Sequence, residues 1–160
     1  MRGILKNRGL AIVVVALLIG LLAFEVATLT RDEGLPDATP AEIRLSRRFA
    51  EAVTSFDHKR IDADVARVLA LGTPGFEREF RRAMGADFTQ RVVANKTVSR
   101  GTVIAGPRPQ TIADGRATLL VVVDQQVTSE GGQGTPQVIR VGLLVSVDQK
   151  ATQVSKVEVL

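Results

Sequence analysis

The chain has 160 residues, a formal net charge of +4, no cysteine, tryptophan or tyrosine, six phenylalanines and a single histidine, His58. Without thiols or a second imidazole, it excludes cysteine catalysis, disulfide stapling and nearly all zinc-type chemistry, so no metal or cofactor is expected. Its basicity is shallow: from residue 31 onward 18 Lys/Arg stand against 16 Asp/Glu, a field too weak to indicate nucleic acid, and base-stacking Trp and Tyr are missing.

Residues 10–29 read LAIVVVALLIGLLAFEVATL, apolar or small except for Glu25 and Thr28. As a helix this run rises roughly 30 Å, about one hydrocarbon thickness. Arg2, Lys6 and Arg8 precede it with no acid among the first nine residues, and basic flanks favour the cytoplasmic side. The expectation is a cytoplasmic tail over 1–9, a single plasma-membrane anchor over 10–30, a linker over 31–39 and an extracytoplasmic domain over 40–160. A cleaved signal peptide is the alternative. Against it, the run exceeds the roughly 7–15 residues of an ordinary h-region and ends without a small-x-small pattern.

Ala16, Gly20, Ala23 and Ala27 fall on one face of the expected anchor. Such a stripe lets a second helix pack closely, although small residues are also common in transmembrane helices generally. Glu25 lies roughly opposite, about 22 Å along from Leu10. Its carboxylate can snorkel to the outer surface, or make an intramembrane polar contact with a partner's helix.

Thr39-Pro40-Ala41-Glu42 reads as a helix start: an N-cap Thr, Pro at the first helical position and a capping-box Glu. Leu45, Phe49, Ala52, Val53 and Phe56 follow as an amphipathic stripe, with Arg44, Arg47, Arg48 and Glu51 on the other side. The Arg triplet reads as a solvated face before it reads as a contact for lipid headgroups. A second, shorter helix is expected near Asp62 or Asp64, carrying Val65, Val68 and Leu69, with Asp62 as its cap. Gly72-Thr73-Pro74-Gly75 breaks it. A third follows, with Phe76, Phe80, Met84, Phe88 and Val92 every four residues and Gly85 weakening its middle. Phe56, Phe76, Phe80 and Phe88 read as core anchors, with a ligand box as the sharper alternative.

After Asn95 the apolar period becomes two. Strands are expected over 97–105, 117–129, 138–148 and 154–160, with a turn at Gly106-Pro107-Arg108-Pro109. Helices first and strands after argue for α+β architecture: three helices packed on a four-stranded antiparallel sheet. Ala117, Leu119, Val121, Val123 and Val127, with Ile139, Val141, Leu143, Val145 and Val147, form the face expected against the helices. The other face carries Leu120, Val122 and Leu144 at its middle and polar residues at its ends. That patch is either buried by curvature of the sheet or is a docking surface.

No catalytic constellation emerges. Asp62 and Asp64 stand two apart and do not face each other on a helix. Asp57 beside His58 is a poor acid–base pair because adjacent residues point apart. The Gly131-Gly132-Gln133-Gly134 loop lacks the following Lys and helix of a phosphate cradle.

The order of parts, together with local text, resembles the Mce-associated membrane proteins of actinobacteria. That text comprises Ala52-Val53-Thr54-Ser55-Phe56-Asp57, Ile61-Asp62-Ala63-Asp64 with Val68-Leu69-Ala70, and Phe76 with Phe80. It continues through Gly101-Thr102-Val103 and Asp114-Gly115-Arg116-Ala117-Thr118 to Val123-Asp124-Gln125. The resemblance covers most of the chain. It implies a cone like that of ketosteroid isomerase, shared with periplasmic domains of type IV secretion assembly factors. It also implies an accessory or stabilising subunit of an Mce-type importer of lipid (fatty acid or sterol), with permease helices, Mce substrate-binding proteins and membrane lipid as partners. A lipid-binding or shuttling module is the alternative. Position 80 often carries Tyr in such proteins, and Phe80 lacks that hydroxyl. The isomerase cone needs a buried acid and an oxyanion donor such as Tyr, so the expectation is no enzymatic activity.

Overall fold

The computed structural model describes residues 37–130 and 134–160. The expected anchor, with Ala16, Gly20, Ala23, Ala27 and Glu25, lies outside the described residues. Among those described, no helix is long and apolar enough to cross a membrane.

Four helices and five strands follow one another: α1 (Pro40–Thr54), β1 (Phe56–Asp57), α2 (Ile61–Leu69), α3 (Pro74–Met84), α4 (Phe88–Ala94), β2 (Val98–Ala113), β3 (Arg116–Thr128), β4 (Gln137–Asp148) and β5 (Gln153–Val159). The strands form one antiparallel sheet in sequence order. The α+β expectation holds, but among the described residues there are four helices where three were expected and five strands where four were expected, and further details are corrected.

The expected third helix is two helices. Gly85 ends α3 at φ +70°, a left-handed conformation that glycine adopts without steric cost. A second correction concerns Phe56, which leaves the helical stripe and enters a two-residue strand paired with Val98 and Ser99. Its ring meets Phe88 edge-on at 6.0 Å, and with Ile61 and Val92 the two form a small second core. That burial holds α4, a helix too short to stand alone. Lastly, the expected turn at 106–109 lies inside β2, which runs on to Ala113. Register shifts between Ala105 and Arg108 absorb the extra residues as a bulge.

The capping box of α1 forms as read. Thr39 N donates to Glu42 Oε2 at 2.7 Å, and Glu42 N to Thr39 Oγ1 at 3.3 Å. Asp62 is not a cap: α2 begins at Ile61 after an N-cap Arg60 that makes no side-chain cap bond. Asp64 is the structural carboxylate instead. Only 4% exposed, it accepts from Asp57 N at 2.9 Å and from Arg67 at 3.0 Å, tying β1 to α2.

The main core lies between the inner face of the sheet and α1–α3. Ala117, Leu119, Val121 and Val123 of β3 and Val141, Leu143, Val145 and Val147 of β4 pack there with Phe49, Ala50, Phe76 and Phe80. Phe49 meets Phe76 edge-on at 5.3 Å. Arg44, Arg47, Arg48 and Glu51 are exposed, as expected. The α2–α3 connection is stitched to the edge strand β5: Val154 N donates to Leu71 O, and Thr73 N to Val154 O, which satisfies part of an otherwise open edge.

At the end of α1, Thr54 lies directly on Gly101 of β2. A Cβ at position 101 would come within 1.8 Å of Thr54 Oγ1 and 2.7 Å of its Cβ. The Gly101→Ala variant is therefore expected to lose about 1–3 kcal/mol of stability through overpacking, read as a lower denaturant midpoint with an unchanged slope.

Candidate functional site

α3 and the β4–β5 side of the sheet line a cavity of about 470 Å³ in all. This lies within the roughly 300–1,000 Å³ of ordinary small-molecule sites. Phe76, Phe80 and Ala83 of α3 form one wall, and Val141, Leu143, Val157 and Val159 the sheet side. Val53, Thr54 and Gln125 also line it, together with Glu79 and Arg82 from α3. The lining continues to Arg116, Ser146, Ser155 and Lys156. The strand register places Arg116, Ser146 and Lys156 on the outer face, so the lining reaches round to that side of the sheet. Ligand chemistry belongs to the apolar inner part.

The polar residues at the inner end form a buried cluster. Thr54, Ser99 and Gln125 are 5%, 2% and 2% exposed. The last carbonyl of α1, Thr54 O, has no intrahelical donor. It accepts instead from Ser99 Oγ at 2.7 Å and Gln125 Nε2 at 3.2 Å, and Gln125 Nε2 also donates to Ser99 Oγ at 2.8 Å. A carbonyl can only accept, so the amide nitrogen of Gln125 must be the group turned toward Thr54.

All four aromatic anchors read from the sequence, Phe56, Phe76, Phe80 and Phe88, are buried; Phe76 and Phe80 also wall the cleft. Gln125 was not visible as a site residue. The signal was there: the inward series 117, 119, 121, 123, 127 skips one position, and a polar side chain occupies it. Asp57 and His58 do come within 3.4 Å, but neither lines the cleft. Among the described residues no group of three or more His, Asp or Glu is placed to hold a metal ion.

On the outer face, Leu120 pairs with Leu144, and Val122 with Gly142. All three apolar side chains are half-buried and belong to neither core cluster. Leu160 lies over Gly142 and donates its N–H to Gly142 O at 3.0 Å. One end of this patch carries Thr118 and Ser146, hydroxyl to hydroxyl at 3.1 Å. The other carries the bidentate pair Arg140–Asp124, at 2.8 and 3.0 Å. The hydrogen bond from Arg140, and that residue's charge, hold the Asp124 carboxyl below its ordinary value of 3.8, against a desolvation effect. A depressed carboxyl contributes stability above its unfolded-state value and loses it as pH falls through the folded one. Below about pH 4 the unaltered chain should therefore lose stability that Asp124→Asn lacks at every pH, so acid titrations of the two should converge. The difference should be small, because the pair is exposed.

Residues 7–160 match the family model described as "Uncharacterized protein Rv1363c/MT1408-like". A curated relative, "Uncharacterized protein Rv1363c" of Mycobacterium tuberculosis (strain ATCC 25618 / H37Rv), is 34% identical over 107 residues. That match takes in 66% of this chain and 40% of the relative, so it spans well under half the relative's length. Among solved structures, the chain is similar to CagV, a VirB8 homologue of the type IV secretion system of Helicobacter pylori strain 26695. The TM-score is 0.59 at 7% identity, covering 76% of this chain and 97% of that one. An IcmL-like type IV secretion system protein of Legionella pneumophila gives 0.59 at 13% identity, covering 79% and 94%. At such identities the likeness concerns the fold alone: the described domain resembles VirB8-like domains.

Proposed function

The chain belongs to the Rv1363c/MT1408-like family, and from that premise we propose that it is a membrane-tethered accessory subunit that stabilises a larger envelope assembly and catalyses nothing itself. The observation that carries this reading is the outer face of the sheet. Leu120, Val122 and Leu144 form a contiguous apolar patch between polar ends, and they pack against neither core cluster. An apolar centre with a polar rim is the anatomy of a protein interface.

The finer proposal is that the assembly is an Mce-type lipid importer. It rests on the sequence resemblance to Mce-associated proteins. In this arrangement the 10–30 segment anchors the chain with its amino terminus in the cytoplasm, and Ala16, Gly20, Ala23 and Ala27 pack on permease helices. The cone braces the Mce substrate-binding proteins from outside. Glu25 supplies a polar contact within or at the edge of the membrane.

The test is affinity purification of the tagged full chain from its native membrane in mild detergent, with mass spectrometry of what accompanies it. Permease, ATPase and Mce proteins in fixed ratio are expected. Leu120→Asp should cut their recovery severalfold at unchanged expression, because a buried unpaired carboxylate costs several kcal/mol at an interface core. Reproducible isolation of the chain alone would overturn the assembly reading.

A second reading, lipid binding or shuttling, is favoured by a separate observation: the cleft between α3 and β5 is walled by Phe76, Phe80, Leu143 and valines and is large enough for an acyl or ring system.

A further inference from the structure

Gln125 is fixed as few exposed glutamines are. Its Nε2 is committed to Thr54 O and Ser99 Oγ, and swapping the two ends of the amide would set Oε1 against the Thr54 carbonyl oxygen, acceptor against acceptor. The side chain therefore holds one orientation. Its Oε1 receives no hydrogen bond from any donor among the described residues, and it is not one of the fully enclosed unpartnered atoms, which are Ser46 Oγ, His58 Nδ1 and Arg91 Nε; the residue lines the cleft, and the accessible surface left to this oxygen faces it. An acceptor open to the cleft is free for a donor from a bound molecule, and an apolar occupant that displaces water from it without supplying a donor forfeits that hydrogen bond.

We propose that the cleft takes a neutral, largely apolar molecule bearing a hydroxyl group, and that this hydroxyl donates to Gln125 Oε1 while the apolar body lies between Phe80 and Leu143. Thr54 adds no competing donor, because its own hydroxyl is spent on Ala50 O at 2.6 Å. An ionised fatty acid fits this end poorly, since a carboxylate would face Oε1 as acceptor against acceptor. An ether or hydrocarbon of the same shape fills the cleft but leaves Oε1 unpaired. The cleft is thus selective for long-chain alcohols, acylglycerols or sterol-like alcohols by chemistry that a merely greasy cavity lacks. This inference rests on the lipid-binding reading and specifies its ligand class.

The full chain in phosphatidylcholine nanodiscs is labelled with a diazirine-tagged decanol, with labelled peptides located by mass spectrometry. Untagged decanol, a methyl ether of matched length and decanoate then compete. The expected result is labelling of α3 and β5, abolished by Ala83→Trp, which fills the cleft. Decanol should compete at concentrations roughly tenfold below those of the ether and of decanoate, the discrimination one hydrogen bond supplies. Gln125→Leu should erase that preference. If this variant fails to fold, the ranking of competitors on the unaltered chain decides the matter alone.

Equal competition by all three would overturn the assignment of Gln125 and leave the lipid-binding reading intact. Preference for decanoate would overturn it in favour of Arg82. Labelling that Ala83→Trp does not affect, or no saturable labelling, would overturn the lipid-binding reading together with the inference.

Discussion

Much of this fold depends on one carbonyl. A helix that ends on the inner face of a sheet buries acceptors that water can no longer reach. At the end of α1 the acceptor is Thr54 O, and the sheet supplies both donors, Ser99 from β2 and Gln125 from β3. The contact fixes where α1 stands. It also explains why position 101, paired with Gln125 in the register, is glycine: with Thr54 so close, no side chain fits between helix and strand. Because the donors are neutral, the helix end is satisfied without bringing a charge into the core and incurring its desolvation cost.

The two faces of the sheet then diverge in role. The inner face meets α1, α2 and α3, and its residues form the main core. The cleft opens between α3 and strands β4 and β5 and is lined in part by Thr54 and Gln125. On the outer face, Leu120, Val122 and Leu144 sit at the centre of the long β3–β4 ladder, flanked by hydroxyls at one end and an ion pair at the other. One cone thus carries an internal space suited to a small apolar molecule and an external patch suited to a protein. The two meet at Ser146, which lines the cavity and also flanks the outer patch.

Periodicity made most of this architecture legible. The 3.6-residue stripe of α1, its capping box and the alternation of β3 and β4 gave the elements and the inner face residue by residue, because one-sided burial leaves its period in the sequence. What failed were the places where tertiary contacts overrode local pattern. Phe56 continues the helical stripe in sequence, but it pairs with β2 because its ring fills the pocket beside Phe88. The 106–109 segment has the composition of a turn, yet the long ladder with β3 carries it through as a bulge. Gln125 was invisible for a different reason. A polar residue at an inward position is uninformative until its partners are known, and Thr54 and Ser99 lie 71 and 26 residues away in sequence. The structural role of Asp64 was hidden for the same reason, its partners including the Asp57 backbone from a neighbouring element.

The measurement that tests this account most directly is a double-mutant cycle on the shared carbonyl. Ser99→Ala and Gln125→Met are made singly and together in the full chain, and each is unfolded by denaturant. If both side chains serve Thr54 O and each other, their effects must be coupled, with an interaction energy of about 0.5 kcal/mol or more. Additivity within about 0.3 kcal/mol would contradict the claim that this cluster fixes α1 on the sheet and orients Gln125 toward the cleft.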